Sequence, residues 1–314
     1  MLEMRPLELS DRPMVEDYLR RYPPEISELT FTNLFVWRHS RPVFLAEVED
    51  ALVFVTTAEE NGNSERFILG HPVGKASPLR VVNALGVDVA GFIRIPEDRA
   101  ATLRDSSLLI TPDRDNWDYV YRVADLAELA GRHYHKKRNL IKQCLSAYRC
   151  EYEPMTAEIL GEYSDMQDRW CEARQCKVDR GLCREYVAIR NMFDNFSELE
   201  LVGGAIRVDG TIEAYAVGEA LGPATAVCHF EKAMPGFRGL GQLVNQWFAK
   251  YGLKGFEFEN REQDLGIAGL RQAKESYYPH HMVEKHSAWF SAARATMPAP
   301  ADPHECARHG VDEE

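Results

Sequence analysis

Two stretches of the chain carry residue types and spacings suited to chemistry. The first, residues 226–278, orders a short apolar strand (226–230), a glycine-bearing loop (235–241), a helix (242–251), a second strand (255–259) and a second helix (265–278). A strand that feeds a glycine loop at a helix N-terminus presents unpaired N–H groups, and the positive end of the helix dipole, to an anion. Phe237, Arg238, Gly239, Leu240 and Gly241 are the residues placed to hold a phosphate there. A plain βαβ unit whose glycines only shape turns accounts for the same pattern, because short glycine motifs recur by chance. The second stretch, RHYHKKRNLIKQCLSAYR (132–149), holds Arg132, Lys136, Lys137, Arg138, Lys142 and Arg149 and no acid. On a helix, Tyr134, Ile141, Leu145 and Tyr148 share one side, most of the cations take the other, and Lys137 sits at the apolar edge. Such a segment packs by one face and offers the other to phosphates of tRNA, a nucleotide cofactor or a lipid headgroup. An ordinary solvated amphipathic helix is the alternative.

The rest of the composition frames that island. A net charge of −12 over 314 residues works against nonspecific attraction to nucleic acid or anionic membrane. No run of about 18 apolar residues is present, so no spanning helix is expected. The start, MLEMRPLELSDRP, lacks the apolar core of a signal peptide. Seven irregularly spaced cysteines fit reduced thiols in a cytoplasmic protein. Cys171, Cys176 and Cys183 lack zinc-ligand spacing, so they read as buried thiols and no metal site is expected.

The elements that must position these residues follow from periodicity. The length suggests two domains. Residues 5–9 read as an opening strand and 11–22 as a helix capped by Asp11, ended by Pro23-Pro24. Ser27 is placed to cap a second, aromatic-rich helix. Residues 42–48, 51–57 and 65–69 alternate as a meander of strands, followed by a helix from Ser77-Pro78 and strands at 91–95, 107–111 and 119–123. Asp125 to Glu128 has the form of a capping box. Beyond the basic island come a strand (149–153), helices (156–175, 180–195), a hairpin across Asp209-Gly210, a third strand (224–231) and, at the end, a strand at 282–290. From 292 onward Ala, Pro, Asp and His without periodicity predict a disordered tail.

The order of elements in the second half resembles the GCN5-related N-acetyltransferase (GNAT) fold. Residues 237–241, FRGLG, resemble the end of its pyrophosphate-binding motif, with Gly236 where that motif has Arg or Gln. Three longer segments, DLAELAGRHYHKKRNLIKQ (125–143), FEKA (230–233) and NREQDLGIAGLRQAKESYYP (260–279), are similar to the DUF2156 family, soluble relatives of the phosphatidylglycerol lysyltransferase C-terminal domain. The resemblance implies an α/β (α+β) chain of two tandem GNAT-like domains, Fem-related, each a mixed, mostly antiparallel sheet flanked by helices. Boundaries are expected at 1–124 and 125–291.

It also implies acyl transfer, which requires a held donor, oxyanion donors and a group that moves a proton. Backbone N–H groups at 227–231 suit the oxyanion. Glu231, at the end of its strand, suits the base, or else a salt bridge. The resemblance places Tyr277 where a tyrosine protonates the leaving group, and Asn260 where the sheet splays to admit the acyl arm. Arg271 and Lys274 share a helix face and suit an anion or the tRNA 3′ end; surface ion pairing is the other explanation. Three readings follow. In one, aminoacyl-tRNA is the donor and the 132–142 region meets tRNA or a phosphorylated acceptor. In another, acyl-CoA is the donor. In the last, the tandem fold is an inactive binding module. No cofactor beyond the donor is implied.

Overall fold

The structure, a computed structural model, describes residues 4–60, 63–104 and 107–290. The tail expected from 292 lies outside the described residues. The chain opens with β1 (Arg5–Pro6) and α1 (Arg12–Arg21). Helix α2 (Phe31–Val36) starts later than Ser27: Thr30 caps it, accepting from the Asn33 amide at 3.1 Å. Ser27 is instead drawn into a buried polar cluster. The meander follows as β2 (Val43–Val48), β3 (Ala51–Glu60) and β4 (Asn63–Leu69), with β5 (Val73–Gly74) beside β3. Then come α3 (Pro78–Leu85), β6 (Gly91–Pro96), α4 (Glu97–Ala101) and β7 (Leu108–Pro112).

The second half contains β8 (Asp118–Arg122), α5 (Val123–Glu128), α6 (His135–Ala147), β9 (Cys150–Pro154), α7 (Leu160–Ala173) and α8 (Arg180–Asp194). Next are β10 (Val202–Val208), β11 (Thr211–Ala220), β12 (Thr225–Ala233), α9 (Leu240–Trp247), β13 (Phe258–Asn260), α10 (Ala268–Glu275), β14 (His281–Val283) and β15 (Lys285–Phe290). The capping box expected at Asp125 is not formed. Helix α5 begins at Val123, so Asp125 lies inside its first turn. Cys176 is buried as expected but Cys183, on the outer side of α8, is exposed.

The strands form two mixed sheets, ordered β1-β2-β3-β4-β6-β15-β7 and β14-β8-β13-β12-β11-β10-β9. β4 with β6 and β12 with β13 run parallel; the neighbours of these pairs are antiparallel. The sheets exchange strands. β8 precedes residue 124 yet lies in the second sheet, and β15 closes the first. The expected boundary at 124/125 therefore does not coincide with the sheets. The strand expected at 282–290 divides at Glu284, and its two parts join different sheets.

Packing explains the apolar runs. In β3, Leu52 and Phe54 face a core shared with α1, α2, α7, α8 and the second sheet, while Val53 and Val55 face the α3 side. Tyr215, Val217 and Phe230 of the second sheet enter the shared core, which binds the two halves. The opposite face of the second sheet packs under α5, α6 and α9 through Tyr121, Cys228, Ile141 and Leu243. The group around Glu231 and Tyr277 lies on that side, and the His229 bridge faces α2.

Candidate active site at the divergence of β12 and β13

β12 and β13 pair for three residues, ending at Val227 and Asn260, and then separate. At that point β12 is bulged. Val217 and Gly218 of β11 face Phe230 and Cys228, so His229 is an extra residue in the ladder. Gly218 permits the close approach, because a Cβ there would lie 2.0 Å from the Val227 carbonyl oxygen. The bulge turns the His229 ring between two acids, with Nε2 2.8 Å from Glu219 and Nδ1 2.9 Å from Glu262. Thr32 and Asn33 of α2 donate to the same carboxylates at 3.0 and 3.1 Å. Burial by itself would lower the His229 pKa. The two carboxylate hydrogen bonds override burial and raise it to about 9, so both nitrogens donate at neutral pH.

On the α9 side a second ionisable group assembles. Glu231 accepts from Asn245 Nδ2 at 3.2 Å and from Arg261 Nη2 at 3.1 Å. Arg261 Nε stands 3.9 Å from Glu259, which is 0% exposed and whose two oxygens have no hydrogen-bond partner. Burial, with Glu231 nearby, pushes the Glu259 carboxyl up to about 7 against the pull of Arg261. The Tyr277 ring is buried, with Arg261 5.1 Å and Lys137 Nζ 3.4 Å from its centroid. Burial raises the Tyr277 pKa, so the hydroxyl keeps its proton. Lys137 also donates to Ser276 Oγ at 2.8 Å, and burial together with Arg261 lowers its pKa to about 8.

The structure thus brings together Glu231, Tyr277 and Lys137 of the residues singled out in the sequence. It adds Arg261, Glu259, Asn245 and His229, which sequence reasoning missed. One signal was available: an acid at an inward position of the apolar strand FEFEN is a local inconsistency of the kind that marks sites. The remaining predicted residues are placed differently. Asn260 is fully buried; its amide donates to Asp118 at 3.0 Å and its carbonyl accepts from the Glu262 amide at 2.8 Å. Arg271 is held by Asp264 through two bonds of 2.8 Å and by Asp115 at 2.7 Å. Lys274 donates to the backbone carbonyl of Arg261, and burial with Arg261 lowers its pKa to about 8.

The glycine loop serves packing at one position. Gly239 has φ 90° and caps α9, and a Cβ on it would lie 2.1 Å from the Leu140 carbonyl oxygen of α6. Leu240 is buried, Phe237 packs on Tyr148, Arg238 is exposed, and Gly241 is open on its Cβ side. In α6, Cys144 and Ile141 face inward, whereas Leu145 is 44% exposed, because the helix is rotated to bring Cys144 rather than Leu145 under α9. Lys136 and Lys142 are exposed; Lys142 borders a shallow depression of about 350 Å³ with Asn139, Gln143 and Ser146. Arg132 is exposed in the turn before α6. Arg138 is engaged locally, donating to the carbonyls of Leu129 and Gly131.

A third group, with Lys285 at its centre, lies where the sheets exchange strands. Lys285, 0% exposed, donates to Glu28 and Asp118, each at 2.6 Å. The Ser27 amide and hydroxyl, the Asn260 amide and the Gln263 amide complete the bonds to Asp118. Gln263 and Arg94 also reach Glu28.

The family model described as "Phosphatidylglycerol lysyltransferase, C-terminal" matches residues 19–289. A conserved protein of unknown function from Bacteroides thetaiotaomicron VPI-5482 is 29% identical, with a TM-score of 0.84 over 92% of this chain and 99% of that one. L-PGS from Bacillus licheniformis is 16% identical, with a TM-score of 0.61 over 89% and 91%. FemX is 9% identical, with a TM-score of 0.60 over 91% and 96%. These likenesses show the tandem GNAT-like fold. No curated protein matches the sequence. Among the described residues, no helix is long and apolar enough to cross a membrane.

Proposed function

We propose, from the premise that this chain belongs to the phosphatidylglycerol lysyltransferase C-terminal family, that it transfers an aminoacyl group from aminoacyl-tRNA to an amine or hydroxyl acceptor. The observation that carries this reading is the position of α6. Its Leu140 carbonyl seats on Gly239 and its Lys137 lies over Tyr277, while Lys136 and Lys142 remain exposed to meet RNA phosphates. With Gly239 committed to α6, less of the loop is left open for a CoA pyrophosphate.

The chemistry assigned to the site is ester aminolysis or transesterification. The acceptor nitrogen or oxygen attacks the ester carbonyl and its proton passes to Glu231. Backbone N–H groups near the His229 bulge face the developing oxyanion. As the C–O bond to the ribose breaks, Tyr277 delivers its proton to the departing oxygen, and the proton on Glu231 then returns to Tyr277. Arg261 holds Glu231 in place and lies against the Tyr277 ring.

The test is binding of charged tRNA across a salt series. Lys136→Ala with Lys142→Ala is expected to weaken binding and to flatten the slope of log K against log salt by about one for each phosphate left without its lysine. Saturating CoA is expected to leave the melting temperature unchanged. A rise with CoA, together with no binding of charged tRNA at low salt, overturns the reading.

A further inference from the structure

The residue after Tyr277 stands in an unfavourable conformation. Tyr278 has φ 55°. A bulky side chain rarely takes that backbone region, and glycine is the usual residue just past a helix end of this kind. Burial does not compensate, because the ring is 54% exposed. The ring is nevertheless held. Its backbone amide donates to the Glu275 carbonyl at 2.9 Å, and Pro279 follows. His133 and Tyr134 meet it edge-to-face, with centroids 4.7 and 5.6 Å away and interplanar angles of 75° and 86°. Tyr134 is buried and donates its hydroxyl to the Tyr277 carbonyl at 2.8 Å. Neither ring contact is a face-to-face stack, so aromatic surface is left to solvent. Arg132 and Lys136, on either side of His133 in the chain, are exposed. Of the nearby acids, Glu275 is drawn to Arg114 at 3.7 Å and Asp125 bears on the Tyr134 side. An exposed aromatic flanked by cations is the combination on which unpaired bases stack while the cations hold phosphates.

We infer that Tyr278 and His133 form a stacking surface for an unpaired RNA base, with Arg132 and Lys136 holding the phosphates beside it. This deepens the aminoacyl-tRNA reading and rests on it for the identity of the RNA: the base then belongs to the unpaired 3′ end, whose last ribose carries the ester. The stacking surface itself stands on the exposed Tyr278, its unfavourable backbone and its aromatic neighbours. It adjoins Tyr277, the group assigned to protonate the ribose oxygen, and Lys137, which bonds Ser276 at 2.8 Å. Gripping the last bases there fixes the ester near that tyrosine without any contact to the aminoacyl group.

The experiment is fluorescence anisotropy of the full chain with the labelled RNA tetranucleotide ACCA, with the same oligonucleotide carrying abasic sites in place of its last two bases, and with charged tRNA. ACCA is expected to bind, and the abasic form to bind at least about fivefold more weakly. Tyr278→Gly is expected to fold, because glycine suits φ 55°, and to weaken ACCA binding by a similar factor. Tyr278→Phe keeps an aromatic ring and is expected to bind as the parent does. The slope of log K against log salt is expected to be unchanged in Tyr278→Gly, since stacking releases no counterions, whereas Lys136→Ala flattens it. The inference is overturned if the two oligonucleotides bind alike, if ACCA does not bind at about 1 mM, or if Tyr278→Gly binds as the parent does. The abasic probe needs no variant, so a misfolded Tyr278→Gly does not blunt the test. Charged tRNA binding equally to the parent and to Tyr278→Gly sinks the stacking surface and leaves the proposed donor; ACCA binding through Tyr278 without charged-tRNA binding does the reverse.

Discussion

Lys285 and Arg261 are both largely buried cations facing two carboxylates, and they differ in how completely they serve them. Lys285 lies 2.6 Å from each of its acids, and Ser27, Asn260 and Gln263 fill the remaining acceptor positions on Asp118. Arg261 bonds one acid and leaves the other with both oxygens unpaired. The first group is closed by the protein alone. It sits at the start of β8 and of β15, where the two sheets trade strands, so it ties the halves together. The second group leaves Glu259 without a hydrogen-bond partner. Buried charge joins elements in the one case and is left partly unpaired in the other, and the unsatisfied atoms separate the two.

The sharpest way to break this contrast is to remove each cation. Lys285→Met leaves two buried carboxylates uncompensated and is expected to cost about 3–5 kcal/mol in denaturant unfolding. Arg261→Met is expected to cost less, since Glu231 is partly exposed and Glu259 can take up a proton. Equal losses would erase the distinction.

The His229 bridge gives the next largest effect. Its folded pKa of about 9 exceeds the unfolded value of 6.5. The stabilisation is thus fully present below pH 6.5 and is lost as pH rises through 9, amounting to ~3 kcal/mol. The difference in stability between the parent and His229→Gln, followed by urea unfolding from pH 6 to 9.5, should shrink over that window. Lys137 and Lys274, with folded values of about 8, contribute the opposite slope at higher pH and cancel in that difference.

The Glu259 effect carries the opposite sign. Glu259 has a folded value of about 7 against 4.5 unfolded, so its contribution falls as pH rises from 4.5 to 7. Glu259→Gln should therefore stabilise the protein at pH 8, by ~3 kcal/mol, and do nothing at pH 4.5. Destabilisation at pH 8 would mean that Glu259 is already satisfied, like Asp118.

Much of the fold was legible because it is written locally. Alternation located β2 to β4, and Asp209-Gly210 located the β10–β11 turn, where both residues take positive φ. Pro78 marked the start of α3. The site was only partly legible. Glu231 and Tyr277 stand near element ends, and both lie beside Arg261. Asn260, Arg271 and Arg138 have the same outward marks, yet they are bound up in local or buried networks. The partner of Asn260 is Asp118, 142 residues away, those of Arg271 are Asp264 and the distant Asp115, and those of Arg138 are the turn carbonyls; Asp118 and Asp115 needed long-range folding. Leu145 lies outside the buried stripe that periodicity assigns it, because a helical period fixes a stripe and not which edge of it a neighbouring helix covers.

The sequence by itself determined most element types and the basic character of α6, because these follow from periodicity and composition within a few turns of chain, while the tandem α/β plan came from the family resemblance. Tertiary structure decided that β15 returns to the first sheet, that Leu140 seats on Gly239, that His229 bridges Glu219 and Glu262, and which of two buried cations is fully employed. Each of those outcomes depends on which strands pair across long separations in the chain or on a fit of tenths of an ångström between packed surfaces. Neither quantity is expressed in the local pattern of side chains.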